Sequence, residues 1–330
     1  MKAMNTLSEE RTIKYGVPQG SQIGPILFTL YLNEILCHVK SCHIWAYADD
    51  VLILAEHKDL KTAERKLQED FNIFTRWAHD KGLIINRDKT CLMHFCPKNM
   101  KDKRKISIQY HDCDCIHEQV VCKCCDIELV EKTKYLGLTV DSKLTWSDHI
   151  ASLHKKLRPC VAMMYKLQNK ANKTVKMTVY KALFESNMRY GITVWGTSSN
   201  THLNQISNIQ KKCLKALYGN CEPIELIMDA HEFCTYNQLT PKGQYIFNII
   251  LKYFGESEYK REHQRNFDTR NIIKYFVPIP NTEYGRRLPE YIVPYLYNML
   301  PNDIEQLPNI KVFKMKVFEW IVRWRHNLPG

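Results

Sequence analysis

Ile44-Trp45-Ala46-Tyr47-Ala48-Asp49-Asp50-Val51-Leu52-Ile53-Leu54 decides how this chain is read. Two adjacent carboxylates stand between two apolar runs. Taking a charge into apolar surroundings is costly unless something pairs with it. The least costly structure is a β-hairpin whose tight turn pushes Asp49 and Asp50 out at the sheet edge, with Tyr47 flanking the turn. Hard carboxylate oxygens placed there suit Mg²⁺. Asp also favours turns for purely local hydrogen-bonding reasons, and an isolated Asp-Asp pair would imply no more than a turn.

Upstream lies Gly16-Val17-Pro18-Gln19-Gly20-Ser21, followed by Ile23-Gly24-Pro25-Ile26-Leu27-Phe28. Two glycine turns flank the polar Gln19-Gly20-Ser21 step. Pro25 suits the first turn of a helix running through Tyr31 and Ile35 towards His38. The amino end of such a helix offers free N–H groups and partial positive charge to a phosphate. Glycine at 16 and 20 lets a nucleic acid approach the backbone closely. A Gly/Pro/Ser loop before a helix is also a common connector.

Downstream, Leu60, Ala63, Leu67, Phe71, Phe74, Trp77 and Ala78 recur every three or four residues. That spacing predicts an amphipathic helix from Asp59 to Lys81, ended by Gly82. Strands are expected near Leu83–Ile85 and Thr90–Phe95, and one short strand within residues 1–15. Helix, hairpin, helix and strands in that order predict an α+β fold, an antiparallel sheet backed by helices. Past Trp146 the periodicity turns helical: Val175, Val179, Leu183 and Met188 mark one helix, and Leu203 to Leu217 another, ended by Gly219. A final amphipathic helix is expected around Val312–Trp324.

The 330 residues carry a net charge of +12, which points to a polyanionic partner, although an acidic substrate or a membrane surface would fit the same sign. Between Asp148 and Glu185 there is no acidic residue, yet Lys155, Lys156, Arg158, Lys166, Lys170, Lys173, Lys176 and Lys181 all fall there. Such a face is either solvated or in contact with phosphates, and its single sign favours phosphates. Lys98 to Lys105 is a second basic tract, read as a solvated loop or a nuclear-import signal. Thirteen cysteines fall short of the density of a disulfide scaffold, no secretory signal is read, and the apolar run Ile23–Leu36 is too short for a bilayer. A chain in the nucleus or cytoplasm, without a membrane segment, is expected.

Cys113-Asp-Cys115 and Cys122-Lys-Cys124-Cys125 form a local cluster. If this segment is a hairpin, Cys113, Cys115, Cys122 and Cys124 converge, because residues two apart share a face. Zn²⁺ could take four such thiols, although Cys-X-Cys is shorter than the usual structural spacing. Reduced surface thiols on an insertion hairpin are the alternative.

Gly-Val-Pro-Gln-Gly-Ser, a helix and then an apolar-Tyr-Ala-Asp-Asp hairpin together resemble the palm of a reverse transcriptase from non-LTR retrotransposons, most similar to the jockey-like branch. Later blocks agree in order. Gly82-Leu83-Ile84-Ile85-Asn86 with Lys89-Thr90 resembles motif D of that family. Lys134-Tyr135-Leu136-Gly137-Leu138, with Asp141, Leu144, Trp146 and His149, resembles motif E and the entry to the thumb. Tyr190-Gly191, Val194-Trp195-Gly196 and Tyr297-Asn298-Met299-Leu300-Pro301 resemble the thumb and carboxy-terminal segments. The resemblance implies a partial palm over 1–146 with a Cys-rich insertion at 111–126, a helical thumb over 147–221, and a mostly helical carboxy-terminal region over 222–330.

The chemistry implied is RNA-directed DNA synthesis, the in-line attack of a primer 3′-hydroxyl on a nucleotide α-phosphate assisted by two metal ions. RNA template, DNA primer and dNTP are the implied partners. Asp49 and Asp50 would hold Mg²⁺, Asp49 directly. Gln19, Gly20, Ser21 and Tyr47 would line the template and nucleotide pocket. Tyr135, Leu136 and Gly137 would form the primer grip, and Lys155, Lys156, Arg158, Lys166, Lys170 and Lys173 would meet phosphates. Lys89 would protonate departing pyrophosphate, a general-acid role; a surface lysine after a turn is its plainer reading. The family draws a further metal-binding aspartate from motif A, ahead of the Gly16 block. Residues 1–20 contain no Asp, and Glu9 and Glu10 are their only acids. The isolated chain is therefore expected to be inactive. The alternative is a non-catalytic nucleic-acid-binding remnant of a transposable element.

Overall fold

The computed structural model describes residues 2–3, 6–7, 16, 20–96, 106–111, 124–218, 238–260 and 274–323. The chain divides into two compact units, Met1–Leu136 and Gly137–Gly330.

In the first unit, Pro25 stands in the opening turn of the helix Gly24–Asn33, which runs on into a tighter turn at Glu34–Cys37. The antiparallel hairpin His43–Tyr47/Asp50–Leu54 follows, then the helix Leu60–Asp80. Asp59 caps that helix, its carboxylate accepting from Thr62 N at 2.9 Å and Thr62 Oγ1 at 2.7 Å, an arrangement typically worth about 1 kcal/mol. Gly82 closes it at φ +69°. There Gly82 N donates to His79 O and Leu83 N to Ala78 O, both at 2.8 Å, which satisfies carbonyls the helix end would leave bare.

The apolar stripe read from the sequence is the seam of this unit. Trp77 and Ala78 bury against Leu32 and Ile35, with Phe28 and Ile44 packed alongside. Nearly two turns earlier, Phe71 buries with Leu92 and Ile108, against Ile53 and Leu67. The helix thus backs the hairpin at its Ile44–Ile53 pair.

Two strand expectations need correction. Leu83–Ile85 forms no strand among the described residues: the chain leaves the glycine turn in an irregular path, Ile84 is 97% exposed, and Asn86 caps a short turn at Arg87–Lys89. Of Thr90–Phe95 only Cys91–Leu92 is a strand, and it pairs in parallel with Glu128–Leu129. Gln109–Tyr110 pairs antiparallel with Cys125–Asp126. The result is helices with several two-stranded sheets, an α+β composition, where one continuous antiparallel sheet was expected.

The second unit is helical. Ser147–Leu167, Asn200–Tyr218, Pro241–Lys252, Pro289–Met299 and Ile310–Arg323 are its longer helices. Trp324, expected to end the last of these, lies outside the described residues. Ile150, Leu157, Phe184, Trp195, Ile206, Ile250, Val293 and Phe313 share one core. That core draws on helices on both sides of position 221.

Three blocks quoted for the family resemblance do architectural work here. Asp141, 8% exposed, accepts from Lys143 N, Thr145 N, Thr145 Oγ1 and Trp146 N at 2.8–3.2 Å. This holds Leu144 and Trp146 at φ +48° and +63° ahead of the 147–167 helix. Trp195 is fully buried and its Nε1 donates to Tyr190 O at 2.8 Å, while a Cβ on Gly196 would stand 2.4 Å from Ile192 O. Asn298 Oδ1 accepts from Lys274 N and Tyr275 N at 3.0 and 2.8 Å, and Tyr297 OH donates to Ile250 O at 2.8 Å. Among the described residues no helix is long and apolar enough to cross a membrane.

Candidate active site

The hairpin forms as its sequence dictates. Tyr47 pairs with Asp50, Ala46 with Val51, Trp45 with Leu52 and Ile44 with Ile53, leaving Ala48 and Asp49 as a two-residue turn. Side chains alternate across a strand pair. Ile44 and Ile53 therefore face the helix-backed core, while Trp45, Tyr47 and Leu52 are 49%, 68% and 39% exposed on the other face. Ala48 adopts φ +51°, the left-handed backbone that tight hairpin turns need and that glycine or asparagine usually supplies. Asp49 and Asp50 are both exposed at the tip.

Tyr135 ends the strand Lys132–Tyr135. Its hydroxyl is held above the usual phenol range first by burial and then by the negative charge of Asp50. The first unit thus brings Tyr135 within electrostatic reach of the tip. Leu136 and Gly137 follow at φ +45° and +81°, and a Cβ on Gly137 would stand 3.1 Å from the Tyr190 ring.

The other expected residues are placed as follows. Gln19 lies outside the described residues. Gly20 is exposed at φ +81° with open space where a Cβ would stand. Ser21 Oγ accepts from Ile23 N and Gly24 N at 3.2 and 3.3 Å, so its hydroxyl is engaged in starting the 24–33 helix. Lys89 is exposed on the 87–89 turn, its backbone N–H bonded to Asn86 Oδ1 at 3.2 Å. No described hydrogen bond or ion pair joins its ammonium to either aspartate.

Lys155, Lys156, Arg158 and Lys166 are exposed on the 147–167 helix, and none has an acidic partner among the described residues. Positions 155, 158 and 166 lie along one side by helical spacing. Lys170 is exposed just beyond, and Lys173 Nζ lies 4.7 Å from the centre of the Tyr218 ring. Lys176 departs from the expected face: it is 8% exposed, and its Nζ donates to Gln168 O at 3.2 Å. Folding uses this cation to close the end of the preceding helix.

Cys113, Cys115 and Cys122 lie outside the described residues. Cys124 is described, with His111 Nδ1 2.9 Å from its Sγ. No group of three or more His, Cys, Asp or Glu side chains arranged to hold a metal occurs among the described residues. The tip alone still suits Mg²⁺ in kind, since that ion commonly takes one or two carboxylates and completes its shell with water and substrate phosphate.

Sequence reasoning passed over Asp70, which is 2% exposed on the 60–80 helix. Its signal was present: an acid directly beside Phe71, at the same helical phase as Phe74 and Trp77. A charge in an apolar stripe demands partners.

Residues 2–140 match the family described as reverse transcriptase (RNA-dependent DNA polymerase). The chain is 31% identical over 228 residues to the RNA-directed DNA polymerase from mobile element jockey of Drosophila melanogaster, covering 64% of this chain and 23% of that protein. A probable RNA-directed DNA polymerase from transposon X-element of the same species is 29% identical, covering 66% and 23%. The Pol polyprotein from type-1 retrotransposable element R1 of Nasonia vitripennis is 26% identical, covering 63% of this chain and 61% of that protein. The chain therefore spans under a quarter of the length of the first two relatives. No solved structure matches.

Proposed function

Because residues 2–140 carry a reverse transcriptase domain of the jockey-like, non-LTR kind, we propose that the hairpin tip is the metal-holding part of an RNA-directed DNA polymerase site. In this reading residues 1–146 are a partial palm, 147–221 a helical thumb and 222–330 the element's carboxy-terminal region. The observation that carries it is the tip itself: Asp49 in the two-residue turn and Asp50 at the start of the following strand are both exposed, with Tyr135 electrostatically linked to Asp50.

Asp49 and Asp50 hold Mg²⁺, Asp49 directly. When bound, the metal supplies positive charge that favours ionisation of the primer 3′-hydroxyl and stabilises the leaving pyrophosphate. Gln19, Gly20, Ser21 and Tyr47 line the template and nucleotide pocket, where Gly20 admits a close backbone approach. Tyr135, Leu136 and Gly137 position the primer end, and Lys89 donates a proton to the pyrophosphate oxygen as it departs. The exposed cations of the 147–167 helix, with Lys170 and Lys173, neutralise duplex phosphates and carry no sequence preference.

A two-metal site draws carboxylates from more than one strand, and Asp49 and Asp50 are neighbours at the tip of one hairpin. The 330-residue chain by itself is expected to bind Mg²⁺ weakly, because affinity follows ligand charge and number, and not to extend a primer. The test is a Mn²⁺ titration of the full chain followed by water-proton relaxation, with Mn²⁺ standing in for Mg²⁺. Asp49→Ala is expected to weaken binding roughly tenfold, in line with the loss of a charged ligand. Unchanged binding in Asp49→Ala would remove the tip from metal chemistry. Primer extension on poly(rA)·oligo(dT) that depends on Asp49 would overturn the expected inactivity of the chain.

A second reading rests on the exposed cations of the 147–167 helix: a nucleic-acid-binding protein that performs no transfer. It predicts RNA–DNA hybrid binding that weakens with salt and survives Asp49→Ala/Asp50→Ala.

A further inference from the structure

The hairpin is a two-stranded sheet with no third strand among the described residues. Such a ribbon is marginal by itself, so its position depends on what grips its two ends. One end is the Ala48–Asp49 turn. At the other, the chain entering the first strand passes over Asp70. The Asp70 carboxylate accepts from Ser41 N at 2.8 Å and Cys42 N at 2.7 Å through Oδ2, and from Lys40 N at 3.4 Å through Oδ1. Cys42 Sγ adds a bond to Lys66 O at 3.5 Å on the same helix. Three consecutive N–H groups converge on one buried anion, one residue before the strand that begins at His43.

We infer that Asp70 is a positioning residue that fixes the register of the hairpin and so the placement of Asp49 and Asp50, an inference whose functional half rests on the metal-holding role proposed above. A slip of one residue would reverse the faces of a strand. Ile44 would leave the Trp77 cluster, and Trp45 would enter it. A carboxylate suits the task because both its oxygens only accept. An amide at this position offers one acceptor, and its NH₂ would confront an N–H donor.

The experiment compares the full chain with Asp70→Asn and Thr75→Ala by amide hydrogen exchange and by the Mn²⁺ titration. Thr75 is 2% exposed on the same helix, where its Oγ1 donates to Asn72 O, so its loss reports general weakening of the helix. Asp70→Asn is expected to speed exchange across Lys40–Leu54 roughly tenfold, as loss of a charge-assisted bond implies, with little change within Leu60–Asp80. It also weakens Mn²⁺ binding although Asp49 and Asp50 are intact, whereas Thr75→Ala leaves that binding unchanged. Equal acceleration along the helix and the hairpin, or unaltered exchange at Lys40–Cys42, would overturn the inference. If the unsubstituted chain takes up no Mn²⁺ at Asp49 and Asp50, the metal reading fails, and the exchange comparison still decides whether Asp70 holds the register.

Discussion

Ala48 stands at φ +51° between Tyr47 and Asp49, where a side chain meets the following carbonyl. Left-handed backbone costs an L-residue about 1–2 kcal/mol, and the strand pairing on either side holds the turn in spite of it. Ala48→Gly is expected to keep the register and raise stability by up to about 1 kcal/mol, read from thermal melting; Ala48→Val should lower it. His149 offers a pH test. It is 8% exposed, its Nδ1 accepts from Thr139 N at 3.4 Å, and its buried Nε2 has no hydrogen-bond partner among the described residues. Burial holds its pKa below the ordinary histidine range, so the fold favours the neutral ring. The unfolded chain then binds the proton more readily, and stability is complete above a pH of about 6.5 and declines as pH falls below it. His149→Phe should flatten that decline in pH-dependent melting curves.

Among elements, the strand-to-helix loop at 141–146 depends most on one side chain. Asp141 receives four bonds from the loop it closes. Bonds to a charged acceptor are typically worth about 1.5–3 kcal/mol each. Asp141→Ala should therefore destabilise the chain by about 3 kcal/mol or more, measured by urea unfolding. Gly196→Ala should be harmful for a different reason, since its methyl would collide with Ile192 O and the Tyr245 ring. The same scale separates the lysines. Lys176→Ala should lower stability without altering nucleic-acid affinity, because its ammonium is spent on Gln168 O.

For the whole molecule, the net charge of +12 predicts association with polyanions. Its distribution makes that sharper. Replacing Lys155, Lys156, Arg158 and Lys166 with Gln should reduce the slope of log affinity against log salt for an RNA–DNA hybrid by about one per phosphate contact removed. An unchanged slope would place the contact surface elsewhere.

The hairpin, the 60–80 helix and its glycine stop were legible because each is set by local pattern: alternation, helical spacing and a left-handed stop. The family was legible because Gly16–Ser21 and Tyr47–Asp50 occur in order ahead of the later blocks. The strand expected at Leu83–Ile85 failed because an apolar triplet carries no period, and the turn chemistry on either side governed it. Sequence alone could not show that Asp70 reaches back to Lys40–Cys42, that Lys176 turns inward, or that Tyr135 feels Asp50. Those are contacts between residues distant in the chain or choices of side-chain direction, and only packing assigns them. The chain's own order determined which acids stand at the hairpin tip; the folded surroundings decided which acid is buried beneath Lys40–Cys42 at its other end.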